Sequence, residues 1–440
     1  MTNLDPDQHV LAAADAERIR LIVIGAGAAG FFCAVNAARL HPAMQVVLVE
    51  KTGKTLSKVK VSGGGRCNVT HSCFSIDEMI RNYPRGAQFL KRAFHHFFTS
   101  DTLDWFGARG VQLKTEPDGR MFPVTDSSQS IIDCLQEEAR VRGVKVFLHT
   151  GVKKIDPVRP GSAGQYPTKR FRVFFSDLNY MEADFVCVCA GGLAKPGMFD
   201  WLTRLGHSIK EPVPSLFTFN LPGNPITQLM GISVPSVQVK ILGYKLSERG
   251  PLLITHWGLS GPVILRLSAW GARELVGSGY QFEISINWIP NEHEQSLRQQ
   301  VQELRISSAA QKIDSKNPWA LPARLWTHLI QQAGIRADQR WADLTSGQLH
   351  LLIKNLIAQE CQVSGKTTYK EEFVTAGGIS VKEIDPHTMQ SKIVPGLFFA
   401  GEIMDVDGIT GGFNFQHAWT SGFIAAKAIA NAASAPQAAS

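Results

Sequence analysis

The chain has 440 residues, 44% of them hydrophobic and 19% charged, with a formal net charge of +7; this is a globular composition with length for two or three domains. It offers no run of the ~20 apolar residues that a spanning helix needs, so no membrane partner is expected. Its seven cysteines are an odd, scattered set with no CxxC pair and no histidine at zinc-site spacing, which argues against a disulfide framework and against a metal site.

MTNLDPDQHVLAAADAE, residues 1–17, is acidic and polar where a secretory signal is basic and then apolar. It reads as a loose tail, and a cytoplasmic location is expected. RIRLIVIG (18–25), GAGAAGFFCAVNAARL and QVVLVEK (45–51) then read as strand, tight turn with helix, and strand. Gly25-Ala26-Gly27-Ala28-Ala29-Gly30 fits GxGxxG in the context that gives the motif meaning, and Glu50 follows Gly30 by twenty residues. In such a unit Gly25 permits the turn, Gly27 lets the backbone approach a pyrophosphate, and Gly30 lets helix and strand pack. The helix start offers its N–H groups to the anion. Glu50 suits ribose hydroxyls and repels a 2′-phosphate, which favours FAD or NAD over NADP at this turn.

Residues 51–92 hold nine Lys/Arg against two acids, an excess equal to that of the whole chain. One basic, glycine-rich segment suits a small anionic ligand at least as well as RNA, so nucleic acid is the less expected partner. Within it lies VSGGGRCNVTH (61–71), three glycines whose entropic cost demands a reason.

ADFVCVCAGG (183–192) and PGLFFAGE (395–402) are further apolar strands that end in glycines. Parallel strands of this kind form a doubly wound sheet with a ligand along their carboxyl ends. Cys187 and Cys189 share one face of such a strand and read as buried. Between these strands the pattern changes to alternating, Pro- and Gly-punctuated runs over 212–290, then to helical periodicity over 291–360. SGKTT (364–368) resembles the end of a phosphate-binding loop, but Glu360 stands where that motif needs glycine, and a helix precedes it.

PGLFFAGEIMDVDGITGGFNFQHAWTSG (395–422) separates FAD from NAD. The strand ends at Gly401-Glu402, a turn rich in glycine and aspartate follows, and a small-residue helix begins near Gly412. Glu402 or Asp405 can lie beside ribityl hydroxyls, and a positive helix end can face the flavin's N1 and C2 carbonyl.

GAGAAG, SGGGRCNVT, GRMFP (119–123), CAGG (189–192), THWGLSGP (255–262), VTAGGISVKEIDPHTMQSK (374–392) and the last motif together resemble the BaiN/YhiN-like bacterial flavoproteins, in the family's order over nearly the whole chain. The resemblance implies an α/β fold: a Rossmann-like FAD-binding domain of glutathione-reductase type, with an inserted antiparallel β domain that itself contains a helical subdomain. The expected order is 18–211 for the first part of the FAD domain, 212–290 for the inserted β domain, 291–360 for the helical subdomain, 361–380 for the return of the β domain, 381–432 for the second part of the FAD domain, and a tail over 433–440. Members have been linked to reduction of conjugated keto-steroids and to oxidation of aminoacetone. Phe413 and Phe415 stand where the family commonly has Tyr or Leu, and His417 receives no role.

In flavoproteins of this type the segment after the ribose-binding acid returns along the cofactor. Gly63, Gly64 and Gly65 are therefore expected where a β-carbon would collide with FAD, with Arg66 lending charge to a phosphate or substrate. The expected cofactor set is Gly25, Gly27, Ala28, Ala29, Gly30, Glu50, Lys51, Ser62, Gly63, Gly64, Gly65, Arg66, Cys67, Asn68, Val152, Ala190, Gly191, Gly192, Gly401, Glu402, Asp405, Gly411, Gly412, Phe413, Asn414 and Gln416. Cys67 is a redox partner, a reactive thiol beside the flavin, or a small packed side chain. His256, with Ser260 in THWGLSGP, is a candidate proton donor or acceptor. Arg120 and Lys392 are candidates for holding an anion or lying near the cofactor.

No second GxGxxG occurs, so NADH or NADPH is expected to dock transiently rather than in its own domain. The leading expectation is an FAD-dependent reductase of a conjugated or carbonyl-bearing small molecule. The alternatives are an amine oxidase that passes electrons to O2 and a flavin-bearing protein that binds or modifies tRNA. Oligomeric state and covalent attachment of FAD stay open.

Overall fold

The strand Arg20–Ile24 (β1) is an apolar run whose last four residues are buried, and it is followed by the helix Ala28–Leu40 (α1) and the strand Gln45–Val49 (β2). After β2 comes Ser57–Gly65 (α2), a helix that breaks near its end. Lys145–Phe147 (β3), Phe185–Val188 (β4) and Leu397–Phe399 (β5) complete a five-stranded sheet in the order β5-β4-β1-β2-β3. Every neighbouring pair is parallel. The central strands β1 and β4 are therefore covered on both faces and read as continuous apolar runs. The helix Phe413–Ser434 (α3) lies against α1. A β-carbon on Gly422 would stand 2.8 Å from the carbonyl oxygen of Ala29, so only glycine lets the two helices approach this closely.

This computed structural model describes residues 18–158, 170–176, 179–193, 195–367 and 374–435. The expected tail over 1–17, most of the loop at 156–169 and the last residues of the C-terminal tail lie outside them. The chain divides into two units, Met1–Val213 with Val374–Ser440, and Pro214–Phe373. The strand Val374–Ile379, read from sequence as the return of the β domain, falls with the first unit, where the Thr375 N–H donates to Glu402 beyond β5 (2.8 Å). A three-stranded antiparallel meander, Val152–Pro157, Phe171–Phe175 and Tyr180–Ala183, fills the connection from β3 to β4. Cys187 and Cys189 are buried, with their sulfurs 3.6 Å apart.

The second unit is an antiparallel sheet of seven strands. Gln359–Ser364 and Lys366–Thr367 stand at opposite ends of the strand order yet follow one another in the chain, separated by Gly365 (φ +98°), so the sheet closes on itself. Closure removes the exposed edges that an open antiparallel sheet leaves. Between Gln281–Asn287 and Gln359–Ser364 the chain forms the helices Glu294–Ser307, Ala323–Gln332 and Ser346–Ile357. The last starts at a capping box in which Thr345 and Gln348 exchange hydrogen bonds (3.3 and 3.2 Å). It buries Leu349, Leu352, Ile353 and Leu356, one stripe at helical spacing. These side chains join Trp288, Trp326 and Trp341 in one core with the barrel strands. Leu352→Ala there costs about 2–5 kcal/mol.

Candidate cofactor site

The turn after β1 is held from both sides: Gly25 N–H donates to Val49 O (2.8 Å) and Cys189 N–H donates to Ile24 O (2.7 Å). Its three glycines differ in what they face. A β-carbon on Gly25 (φ +106°) would lie 2.4 Å from Cys189 O, and one on Gly30 would lie 1.8 Å from Gly25 O. At Gly27 a β-carbon would meet nothing within 4 Å. The first and third are therefore fixed by protein packing, whereas the second faces open space at the start of α1. Ala28 and Ala29 begin that helix with no acidic residue in its first turn.

Glu50 stands at the end of β2 and its carboxylate is oriented by the chain itself. It accepts from Ala26 N–H (3.0 Å), Thr52 N–H (2.9 Å) and the Thr52 hydroxyl (2.9 Å). Lys51 beside it is exposed, and Val152 opens the meander strand, half-buried. Thr150 N–H donates to Glu50 O (2.7 Å), which ties the approach to Val152 to the end of β2.

Past β4, Ala190, Gly191 and Gly192 run toward the end of β5. A β-carbon on Gly192 would lie 2.3 Å from Thr375 Oγ1 and 2.6 Å from Glu402 Oε1. Glu402 Oε1 accepts from Thr375 N–H, and its Oε2 takes the ammonium of Lys58. Gly401 adopts φ +73°, and its carbonyl lies 3.2 Å from His417 Nε2, which must carry a proton to donate there. Nδ1 of His417 is then a bare acceptor, and among the described residues neither it nor Thr375 Oγ1 has a partner, although both are buried. Burial pushes His417 down to about 4, so the ring is neutral. Asp405 follows, half-buried, with its N–H donating to Ile379 O (2.9 Å).

The SGGG segment needs glycine for its own backbone. Helical dihedrals in α2 end at Ser62 (ψ 147°), and Gly63, Gly64 and Gly65 follow at φ +59°, +69° and +86°. Glycine is required by this left-handed backbone. Protein crowding adds to it at Gly63 alone, where a β-carbon would lie 2.8 Å from Phe122, while Gly64 and Gly65 face open space.

Cys67 continues the left-handed run at φ +61° with no exposed surface. Burial pushes its thiol up to about 12, against a hydrogen bond with Ser62 that lowers it. A buried sulfur with a raised thiol favours the packed side chain over the redox partner and the reactive thiol. Arg66 is also committed. It pairs with Glu116 (2.6 Å), lies 3.6 Å from Asp126 and stacks over Phe122 at 4.0 Å. Arg120 pairs with Glu116 (2.9 Å) and Asp118 (2.7 Å), and Lys114 with Asp126. Three cations meet three carboxylates there, so the cluster offers an anion no surplus charge. Lys392 donates to Lys382 O (3.0 Å) at an exposed position.

Four residues expected at the cofactor hold the start of α3 with their side chains. Gln416 has no exposed surface and spends its amide on Thr70 (2.6 Å), Thr102 (3.1 Å) and Thr420 (3.1 Å). Asn414 exchanges two hydrogen bonds with the backbone of Gly408 (2.8 and 2.9 Å). Asn68, with its amide turned to satisfy both ends, donates to Thr70 O and accepts from Gly412 N–H. Phe413 is buried, stacks on His71 at 4.9 Å and accepts from the Tyr83 hydroxyl through its carbonyl (2.7 Å). Gly411 and Gly412 (φ +136° and +92°) make the entry to this helix, where a β-carbon on Gly412 would lie 2.5 Å from Thr70.

Sequence reasoning missed Lys58, Thr375, His417 and a buried ion pair between Arg85 and Asp407. Thr375 and Asp407 lie inside the last two family motifs, which was the available signal; nothing in the sequence pairs Lys58 with Glu402. His256 belongs to the second unit and is exposed beside Trp257.

The open face at Gly27, the ribose-spaced Glu50, and two orphaned buried polar atoms beside Glu402 fit a dinucleotide laid along the carboxyl ends of β1, β4 and β5. Fold and site together define a flavoprotein oxidoreductase with a Rossmann-like FAD-binding domain. The family described as HI0933-like protein Rossmann domain matches residues 19–428, and the chain belongs to it. It is 31% identical over 423 residues to a ribosomal RNA dihydrouridine synthase of Escherichia coli (strain K12), covering 93% of this chain and 98% of that one. It is 25% identical over 428 residues to a 3-dehydro-bile acid delta(4,6)-reductase of Clostridium scindens, covering 93% and 99%. A solved E. coli quinol fumarate reductase FrdA aligns at TM-score 0.50 and 15% identity over 94% of this chain and 70% of that one, a likeness of fold alone.

Proposed function

We propose that the chain is an FAD-dependent reductase that adds hydrogen across a carbon–carbon double bond conjugated to a carbonyl, and that its substrate is uridine in RNA. One observation carries the reaction class. The two relatives matched from end to end differ in substrate but share this chemistry, since the 5,6 bond of uracil and the bonds named in the bile acid reductase are both conjugated to a ketone or amide carbonyl.

RNA is placed ahead of a free small molecule by identity and by charge. Of the nine cations in 51–92, Lys58, Arg66, Arg85 and Lys91 pair with carboxylates. Lys51, Lys54, Lys60, Arg81 and Arg92 are exposed, and no ion pair joins them among the described residues. Such cations recruit phosphates, and the expectation against nucleic acid loses its ground.

Bound FAD would supply the hydride, with NADH or NADPH as its transient donor. Gly27 and the start of α1 receive the pyrophosphate, Glu50 the adenosine ribose, and Glu402 with Asp405 the ribityl chain. Thr375 and His417 complete the wall behind Glu402. The start of α3 favours negative charge on the ring by about 1 kcal/mol. The hydride goes to the carbon β to the carbonyl, and a proton completes the addition at the α carbon.

The test is an anaerobic visible spectrum before and after NADPH or NADH, followed by incubation with ribosomal RNA and mass spectrometric detection of dihydrouridine. Bleaching together with dihydrouridine supports the proposal. Bleaching with turnover of a steroid enone alone would move the substrate to a small molecule. Peroxide release with an amine, and no response to NAD(P)H, would make the chain an amine oxidase.

A further inference from the structure

We propose that the second unit carries a subsite for a single uracil-type ring, built by Asn220, Thr227, His256, Trp257 and the turn Leu221–Gly223. The proposal rests on the reading of the chain as a uridine reductase and gives one base of that RNA a place on the second unit.

The subsite arises where two paired strands part. Thr218–Asn220 pairs with Gly258–Ser260, Asn220 opposite Gly258. A β-carbon on Gly258 would lie 2.1 Å from Phe219 O, so glycine is needed for the strands to come this close. Leu221 N–H then makes the last cross-link, donating to Trp257 O (2.8 Å), and the chains diverge. The space between them is a cavity of about 210 Å³ lined by Asn220–Gly223, Thr227, His256, Trp257 and Ser364. That is below the roughly 300–1,000 Å³ typical of drug-sized sites. It suits one heterocycle rather than a fused steroid.

Its chemistry selects a neutral, planar, carbonyl-bearing ring. Trp257 is fixed by its indole N–H donating to Thr218 Oγ1 (3.0 Å). The His256 ring stands 4.3 Å away at 83° and is exposed, so a flat ligand stacked on the imidazole turns its edge toward the indole. Asn220 Oδ1 accepts from Thr367 (3.0 Å), which turns the Nδ2 donors away from that partner and leaves them for a ligand carbonyl. Thr227 donates to Asn224 O (2.8 Å), which leaves its oxygen to accept from a ring N–H. Among the described residues no Asp, Glu, Lys or Arg lines the cavity, so it suits neither an ammonium nor a phosphate.

The test uses the full-length holoenzyme and a short RNA bearing 4-thiouridine, irradiated and mapped by mass spectrometry, with fluorescence anisotropy on the same RNA. An adduct on the peptide carrying His256 and Trp257, reduced about tenfold by N220A for the loss of one hydrogen bond while anisotropy and thermal melting hold, is expected. RNA that binds but crosslinks elsewhere, or an adduct indifferent to N220A, would overturn the subsite and leave the uridine reading standing. If anisotropy shows no RNA binding, the RNA reading falls. Ligand-detected NMR with uridine monophosphate then decides the subsite: saturation transfer to the uracil protons that vanishes in N220A keeps it, and no transfer in the wild type ends it.

Discussion

Lys58 and Glu402, 344 residues apart, form an ion pair that ties the basic glycine-rich segment to the end of β5. Glu402 is also fixed through its other oxygen by Thr375 N–H, so the carboxylate cannot turn to follow a lost partner. Lys58→Met is expected to weaken FAD binding by up to about fivefold, the ceiling set by ~1 kcal/mol for a partly exposed pair. The effect should shrink in high salt, and Lys58→Arg should restore most of it. A flavin fluorescence titration reads this, and equal affinities at low salt would remove Lys58 from the site.

The three glycines of the dinucleotide turn make opposite predictions. Gly30→Ala places a β-carbon 1.8 Å from a carbonyl oxygen and should cost about 3 kcal/mol or more in urea unfolding. Gly27 has ordinary dihedrals (φ −90°) and open space around its missing β-carbon, so Gly27→Ala should leave stability within about 0.5 kcal/mol. It should nevertheless lose FAD, because the added methyl stands where the pyrophosphate approaches. Wild-type FAD affinity in Gly27→Ala would mean that the cofactor does not cross this turn.

Cys67 should resist thiol reagents. Cys73 and Cys134 are partly exposed, whereas Cys67 is buried and its thiol is held at about 12. In native protein a disulfide reagent should label Cys73 and Cys134 and reach Cys67 only after unfolding. Stoichiometric labelling of Cys67 in the folded enzyme, mapped by peptide mass, would restore the reactive-thiol reading.

The parts of this molecule that were legible in the sequence are those whose cause is local. GAGAAG, the apolar strands and the closing glycines of β4 and β5 each announce a backbone requirement within a few residues. The side-chain partnerships that were not legible share another cause. Gln416, Asn414 and Asn68 stand in a motif-rich stretch, and their side chains look like ligand-binding amides, yet their partners are Thr70, Gly408 and Gly412, which only the fold brings near. Arg66 reads as a free cation because Glu116 lies fifty residues away. Arg85 with Asp407 is hidden for the same reason. A motif marks where the backbone must be special, but it does not say which polar side chains turn inward to hold it there.

His417 gives the fold a pH dependence that can be isolated. Its ring is buried and held near 4, whereas an unfolded histidine titrates near ~6.5. Below the unfolded value the unfolded chain binds a proton that the folded chain refuses. The contribution is therefore complete above about pH 6.5 and is lost as pH falls toward 4, by up to about 3 kcal/mol. His207, also lowered by burial, adds its own slope, so the informative quantity is the difference between wild type and H417Q. Glutamine keeps an N–H for Gly401 O but cannot take up the proton. Urea unfolding at steps from pH 7 to 4 should show wild type losing stability faster than H417Q, and parallel curves would mean that His417 is protonated in the folded protein or exposed to solvent.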